Sequence, residues 1–260
     1  MIPRSGESEE NADGGAEMDT KALTDFLSEL ALNNNKAWFD SHRAAYDRLR
    51  DEWFALVSRV IEGAARFDPG VAIIAPRDTA FRINRDIRFS PDKRPYKTNF
   101  SAVICPQGRK SGMPAYYFSL DEAGRLFVGG GVYMPEPTVL ARIRAHIAAH
   151  PDRLSAVLAD PRFAATYGEI QGERLKRPPQ GYGEDSPGIE HIKLKSFTGG
   201  LTPEAWPRGG GELAGYLVER FGDLHPLIAW LREALGSGSA PDYLTPHDLD
   251  RLAGSAPLNI

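Results

Sequence analysis

The chain has 260 residues, 42% of them hydrophobic and 10% aromatic, with a formal net charge of -4, enough apolar content to bury a sizeable core at the upper edge of a single domain. Residues 1–20 hold six acids and one Arg, which leaves 30 basic against 29 acidic residues in the remainder, so a global attraction to nucleic acid or to an anionic membrane is not implied. One cysteine, Cys105, excludes an internal disulfide framework and a Cys-rich zinc site and points to a reducing cytoplasm; no signal-peptide pattern and no run of eighteen apolar residues is seen, so no membrane span is expected.

Residues 1–18 are rich in Gly, Glu, Asp and Ser and are expected to form a disordered acidic tail. A helix is predicted from Leu23, Phe26, Leu27 and Leu30 at i, i+3, i+4 and i+7, ending at Asn33-Asn34-Asn35. A second, longer helix carries the stripe Trp38, Phe39, His42, Tyr46, Leu49, Trp53, Leu56, Val57, Val60 and Ile61 and is expected to end near Gly70. From Thr79 the period changes to two, which predicts strands near 79–89, 98–105, 115–120 and 125–134 in an antiparallel meander. Helical spacing resumes at Leu140, Ile143 and Ile147, and again from Pro151 through Leu154, Val157 and Leu158. After the loop RPPQGYGEDSPG, the stripe Leu213, Leu217, Phe221, Leu224, Leu227, Ile228 and Leu231 predicts a last helical segment, with Gly222 and Pro226 as breaks. Residues 237–260 follow a GSGSAP linker and are expected to be flexible or weakly docked. The expectation is one α+β domain over residues 19–236, an antiparallel sheet of about four strands covered by N-terminal and C-terminal helices.

The stretch RINRDIRFSPDKRPYKTNF, residues 82–100, places six Arg and Lys residues within sixteen positions. As a strand it would put Phe81, Ile83, Arg85, Ile87 and Phe89 on one face and Arg82, Asn84, Asp86 and Arg88 on the other. Arg85 then interrupts an apolar face and requires a carboxylate or several carbonyl partners, since an unpaired buried guanidinium costs several kcal/mol. Asp86 points away from it unless a bulge intervenes. Planar guanidinium forks with a phenol suit an oxyanion such as phosphate or carboxylate, so Arg82, Arg85, Asp86, Arg88, Lys93, Tyr96 and Lys97 are the candidate ligand-binding residues. Asp86 would orient the guanidiniums or act as acid or base. Two alternatives stand beside this: a structural ion network that locks the sheet to its loop in a noncatalytic module, and a local nucleic-acid surface using Phe89, Tyr96 and Phe100. No cofactor is expected, and reaction and oligomeric state are left open.

Basic residues gather again at Arg174, Lys176 and Arg177 and at Lys193 and Lys195, either to fold over the first cluster or as solvated surface. His146 and His150, spaced i, i+4, fit pairing with a helix C-terminus better than a metal. His42 reads as a hydrogen-bonded core histidine and Cys105 as packing. Gly129-Gly130-Gly131 lacks dinucleotide-fingerprint spacing and favours close backbone approach or a bulge.

The pattern R-x2-R-D-x-R-F-x2-D-K-x2-Y-K, here Arg82, Arg85, Asp86, Arg88, Phe89, Asp92, Lys93, Tyr96 and Lys97, resembles the signature of the domain of unknown function 2461 family. The NNNKAWFDSHR, GGGVYMPEP and RLKRPPQGY segments extend the resemblance over residues 23–235. It implies kinship with bacterial and fungal proteins of that family, and it carries over no catalytic residue and no reaction.

Overall fold

The structure, a computed structural model, describes residues 17–106, 109 and 112–236. Helix α1 (Thr20–Leu32) starts where the Asp19 carboxylate accepts the Ala22 N–H, and α2 (Lys36–Ser41) starts the same way on Asn35 and the Trp38 N–H. The long helix expected from Trp38 to near Gly70 is divided. His42 leaves helical geometry at φ -108° and ψ 13°, its Nδ1 2.8 Å from the Trp38 carbonyl oxygen and its ring stacked on Trp38, and α3 (Arg43–Ala64) resumes beyond it. A single 3-10 turn (Pro69–Val71) and the short α4 (Pro76–Thr79) lead to the sheet.

The sheet is a meander of β1 (Asn99–Ile104), β2 (Ala115–Asp121), β3 (Leu126–Val132) and β4 (Phe197–Leu201), all neighbours antiparallel in that order. The first three answer to the expected strands; the strand expected at 79–89 does not form. That segment makes isolated bridges only, Ala80 to Ala102 and Asn84 to Tyr96, between which residues 81–83 face residues 97–101. Two surplus residues on the β1 side break the ladder, so the alternation ends early: Ile83 is buried, but Phe89 is 89% exposed. The fourth strand, FTGGL, differs from the expected set, because its two glycines carry no apolar alternation.

Between β3 and β4 lie α5 (Pro137–Ala149), α6 (Pro151–Leu158), α7 (Pro161–Thr166) and α8 (Ile189–Ile192), the first three opening with proline, whose missing N–H costs nothing in a first turn. Helix α9 (Gly210–Leu235) runs through Gly222 and Pro226, where breaks were expected. Burial of Leu217, Phe221, Leu224, Ile228 and Leu231 holds it together across the lost hydrogen bond. It lies against α3 and against one face of the sheet, where Tyr116, Phe118, Leu120, Leu126 and Val128 are buried. Leu224 seats in a notch: a Cβ on Gly130 would lie 2.9 Å from its Cδ2, and one on Gly199 2.8 Å from its Cδ1.

A polar brace crosses this core. Asp68 Oδ2 accepts from Arg232 Nη1 at 2.7 Å and from the Tyr116 hydroxyl at 3.1 Å, and that hydroxyl lies 2.7 Å from His225 Nδ1. Burial pushes the Tyr116 phenol far up and the His225 imidazole down, which keeps both uncharged beside the ion pair. Of the expected tails, residues 1–16 and 237–260 lie outside the described residues. Glu17 accepts the Gly211 N–H at 2.6 Å and Met18 is 3% exposed, so the chain is docked from there on. No described helix is long and apolar enough to cross a membrane.

Replacing Asp68 with Ala strips a buried guanidinium of its carboxylate and is expected to cost about 3 kcal/mol or more. Tyr116→Phe, which leaves that pair intact, should cost roughly 1 kcal/mol; urea denaturation of both variants checks the order. Gly131, at φ +120° and with the Phe197 carbonyl oxygen where a Cβ would stand, has no room for a side chain. Gly131→Ala is expected to lower stability by about 2 kcal/mol or more, read by the same measurement.

Candidate ligand-binding site

Among the described residues no helix layer covers the sheet face turned away from α3 and α9. That face forms a trough of about 330 Å³. Strand alternation puts Val103 of β1, Tyr117 and Ser119 of β2, and Phe127 of β3 on its floor, and β4 adds Thr198. Tyr117 and Phe127 are neighbours at 5.8 Å between ring centroids, and burial pushes the Tyr117 phenol up. Gly129 and Gly131, which share this face, present no side chain, and β4 approaches β3 closely there, as the triple glycine led one to expect. Gln171 closes one side, its Nε2 donating to the Gly200 carbonyl at 2.9 Å.

The basic stretch forms the opposite wall. Segment 80–85 runs beside 96–102, with the Lys97 N–H bonded to the Ile83 carbonyl at 2.8 Å and the Arg85 N–H to the Pro95 carbonyl at 2.9 Å. Lys97 is 4% exposed, its ammonium 5.2 Å from the Phe81 ring centroid. Arg85, with a side chain 25% exposed, finds the acid it required: Nη1 donates to Asp92 Oδ2 at 2.7 Å and to the Arg94 carbonyl at 3.1 Å. Arg94 grips the same carboxylate from the other side, Nη2 at 2.7 Å and Nε at 3.0 Å. The Arg94 guanidinium first, then its backbone N–H, and Arg85 beyond them, hold the Asp92 carboxyl well below the usual carboxylate range. Around the trough the described residues place four cations, Arg85, Arg94, Lys97 and Arg125, against three acids, Asp92, Asp121 and Glu122.

The seven candidate residues therefore separate. Arg85, Tyr96 and Lys97 line the trough; Arg82 lines a different cleft. Arg88 and Asp86 pair with each other at 2.6 Å on the outer side of the loop, where Arg88 brings the Asp86 carboxyl down to about 2, and Lys93 donates to the Ile87 carbonyl at 3.0 Å. Those three line neither cavity, so Asp86 orients only Arg88. Arg94 and Asp92 were not among the candidates, nor were Tyr117, Ser119 and Thr198. The signal for the β2 pair was present, since polar residues alternate there with Tyr116, Phe118 and Leu120. The later basic clusters stay apart: Arg174 pairs with Glu169, Lys193 with Glu184 and Lys195 with Glu173, and none lines the trough. The His146 and His150 rings lie 4.9 Å apart, and no group of three metal-ligating side chains occurs among the described residues. Cys105 is buried.

A carboxyl whose folded pKa is depressed adds stability that is complete above its unfolded pKa and is lost as pH falls toward the folded value. The melting-temperature gap between wild type and Asp92→Asn is accordingly expected to hold from pH 7 to about 5 and to close below about pH 4. Melting curves across that range check it.

The family described as "Conserved hypothetical protein (DUF2461)" matches residues 22–230. No curated protein and no solved structure matches the chain. Four-fifths of the sequence, including the basic stretch, the whole sheet and most of α9, falls inside the family match, and the chain belongs to the DUF2461 family.

Proposed function

We propose that this domain binds a small organic anion in the trough. The apolar part of the ligand lies on Tyr117, Phe127 and Val103, and its carboxylate or phosphate faces Arg85, Arg94 and Lys97. The observation that carries the reading is a cavity of about 330 Å³ with one wall made of the basic stretch and a floor of mixed ring and hydroxyl groups, the pattern of a few placed polar groups on an apolar lining that small-molecule sites use.

The ion-network reading has its own support in the doubly gripped Asp92 and the Arg88–Asp86 pair. The two readings meet here: the network gives the wall its shape, and the wall faces the ligand. A nucleic-acid surface is less well supported. Tyr96 is stacked on Phe39 at 4.2 Å and Phe100 packs edge-on against Trp53, which leaves Phe89 alone of the three rings free to stack on a base. A buried lone cysteine suits a reducing cytoplasm, where we place the protein.

Ser119→Phe fills the trough with a residue that favours strands. In a thermal-shift screen of carboxylate- and phosphate-bearing metabolites, a trough ligand is expected to raise the melting temperature of the wild type, to have little effect on Ser119→Phe, and to act weakly on Arg85→Gln/Arg94→Gln. Stabilisation of all three proteins to the same extent by every anion would remove the proposal.

A further inference from the structure

A second cavity, of about 290 Å³, opens beyond the free edge of β1. It exists because of the surplus residues described above: between the two bridges, 81–83 cannot pair with all of 97–101, and the gap is walled on its far side by α3 and α4. Four arginines line it, Arg50, Arg77, Arg82 and Arg109, and among the described residues no carboxylate does.

Their surroundings differ in a way that matters. Arg50 shares Asp47 at 2.9 Å and Asp51 at 3.1 Å, so its charge is balanced. Arg109 is held by neutral acceptors, its Nη1 donating to the Ala80 carbonyl at 2.5 Å and the Asp78 carbonyl at 3.2 Å, which fix the guanidinium without cancelling it. The exposed Arg77 and Arg82 side chains make no hydrogen bond or ion pair among the described residues. Three guanidiniums thus share one concavity that no described carboxylate lines, with Asp86 in electrostatic reach of Arg82 from outside it, a repulsion that an oxyanion would relieve through the paired N–H donors of each planar fork. Trp53 forms part of the inner wall.

We propose that this cleft binds the phosphate or pyrophosphate group of a small ligand, with Arg77 and Arg82 as the gripping forks and Arg109 as the fixed cation. The site is separate from the trough, with which it shares the side of Asn99, and its argument does not depend on what the trough holds.

Isothermal titration calorimetry of the full chain at constant ionic strength, with inorganic pyrophosphate and with ADP, tests it. Saturable binding by the wild type is expected, weakened about tenfold or more in Arg77→Gln/Arg82→Gln. Both side chains are exposed and make no hydrogen bond or ion pair among the described residues, so this variant should melt nearly like the wild type, and Ser119→Phe should bind as the wild type does. Tighter binding of ADP than of pyrophosphate would assign the cleft to a nucleotide, and equal binding to the phosphate group alone. Absence of saturable heat with both probes, unchanged affinity in the double arginine variant, or equal loss in Ser119→Phe would overturn the proposal.

Discussion

One leucine in a notch of two glycines sets the spacing of this molecule. With Leu224 seated against Gly130 and Gly199, α9 lies directly on the sheet, and on its other side Val218 meets Gly63 of α3 just as closely. A methyl group at any of these glycines would push a helix away from a layer that is packed to the density of an organic crystal. The close fit concentrates the long apolar stripes of α3 and α9 on a single face of the sheet. No described helix lies over the other, where the polar alternates of β2, with Phe127 and the glycines of β3, form the floor of the trough.

The basic stretch sits where the order of the sheet fails. A regular fifth strand would have paired with β1 and sealed its edge. The two-residue mismatch instead bends the segment so that Arg85 turns toward the trough and Arg82 toward the cleft behind it. The ion pairs that follow are too exposed to add much to global stability. Their effect is geometric: one carboxylate held by two guanidiniums joins the two arms of a loop across seven residues, and the wall of the trough keeps its form without a core of its own.

What the sequence disclosed follows from how each element is held. Leu23, Phe26, Leu27 and Leu30 announce α1, and the alternation of Tyr116, Phe118 and Leu120 announces β2, because those residues pack on one face only. FTGGL announces nothing, since β4 is specified by a partner strand tight enough to require glycine and not by its own side chains. Pro226 misled for the opposite reason: a lost backbone bond was visible, and the burial that outweighs it was not. At the site, the need of Arg85 for an acid was legible from its place among apolar residues. The identity of that acid was not, because a loop closure joins Asp92 to it. Tyr117 and Ser119 read as an ordinary solvent face, because alternation alone does not show that they floor a cavity.

The place of α9 in the chain also bears on how the protein comes to exist. It is the last of the described elements to be synthesised, yet it touches α3, α5, α6, α7, β2 and β3. Tyr116 and Phe118, which meet Phe67 and Trp53 of earlier segments, therefore lack the Phe221 side of their packing until α9 has left the ribosome, and the Gly211 N–H that Glu17 receives arrives almost two hundred residues after it. Contacts of such separation close slowly, and until they do, a nascent sheet with one apolar face exposed is a substrate for chaperones.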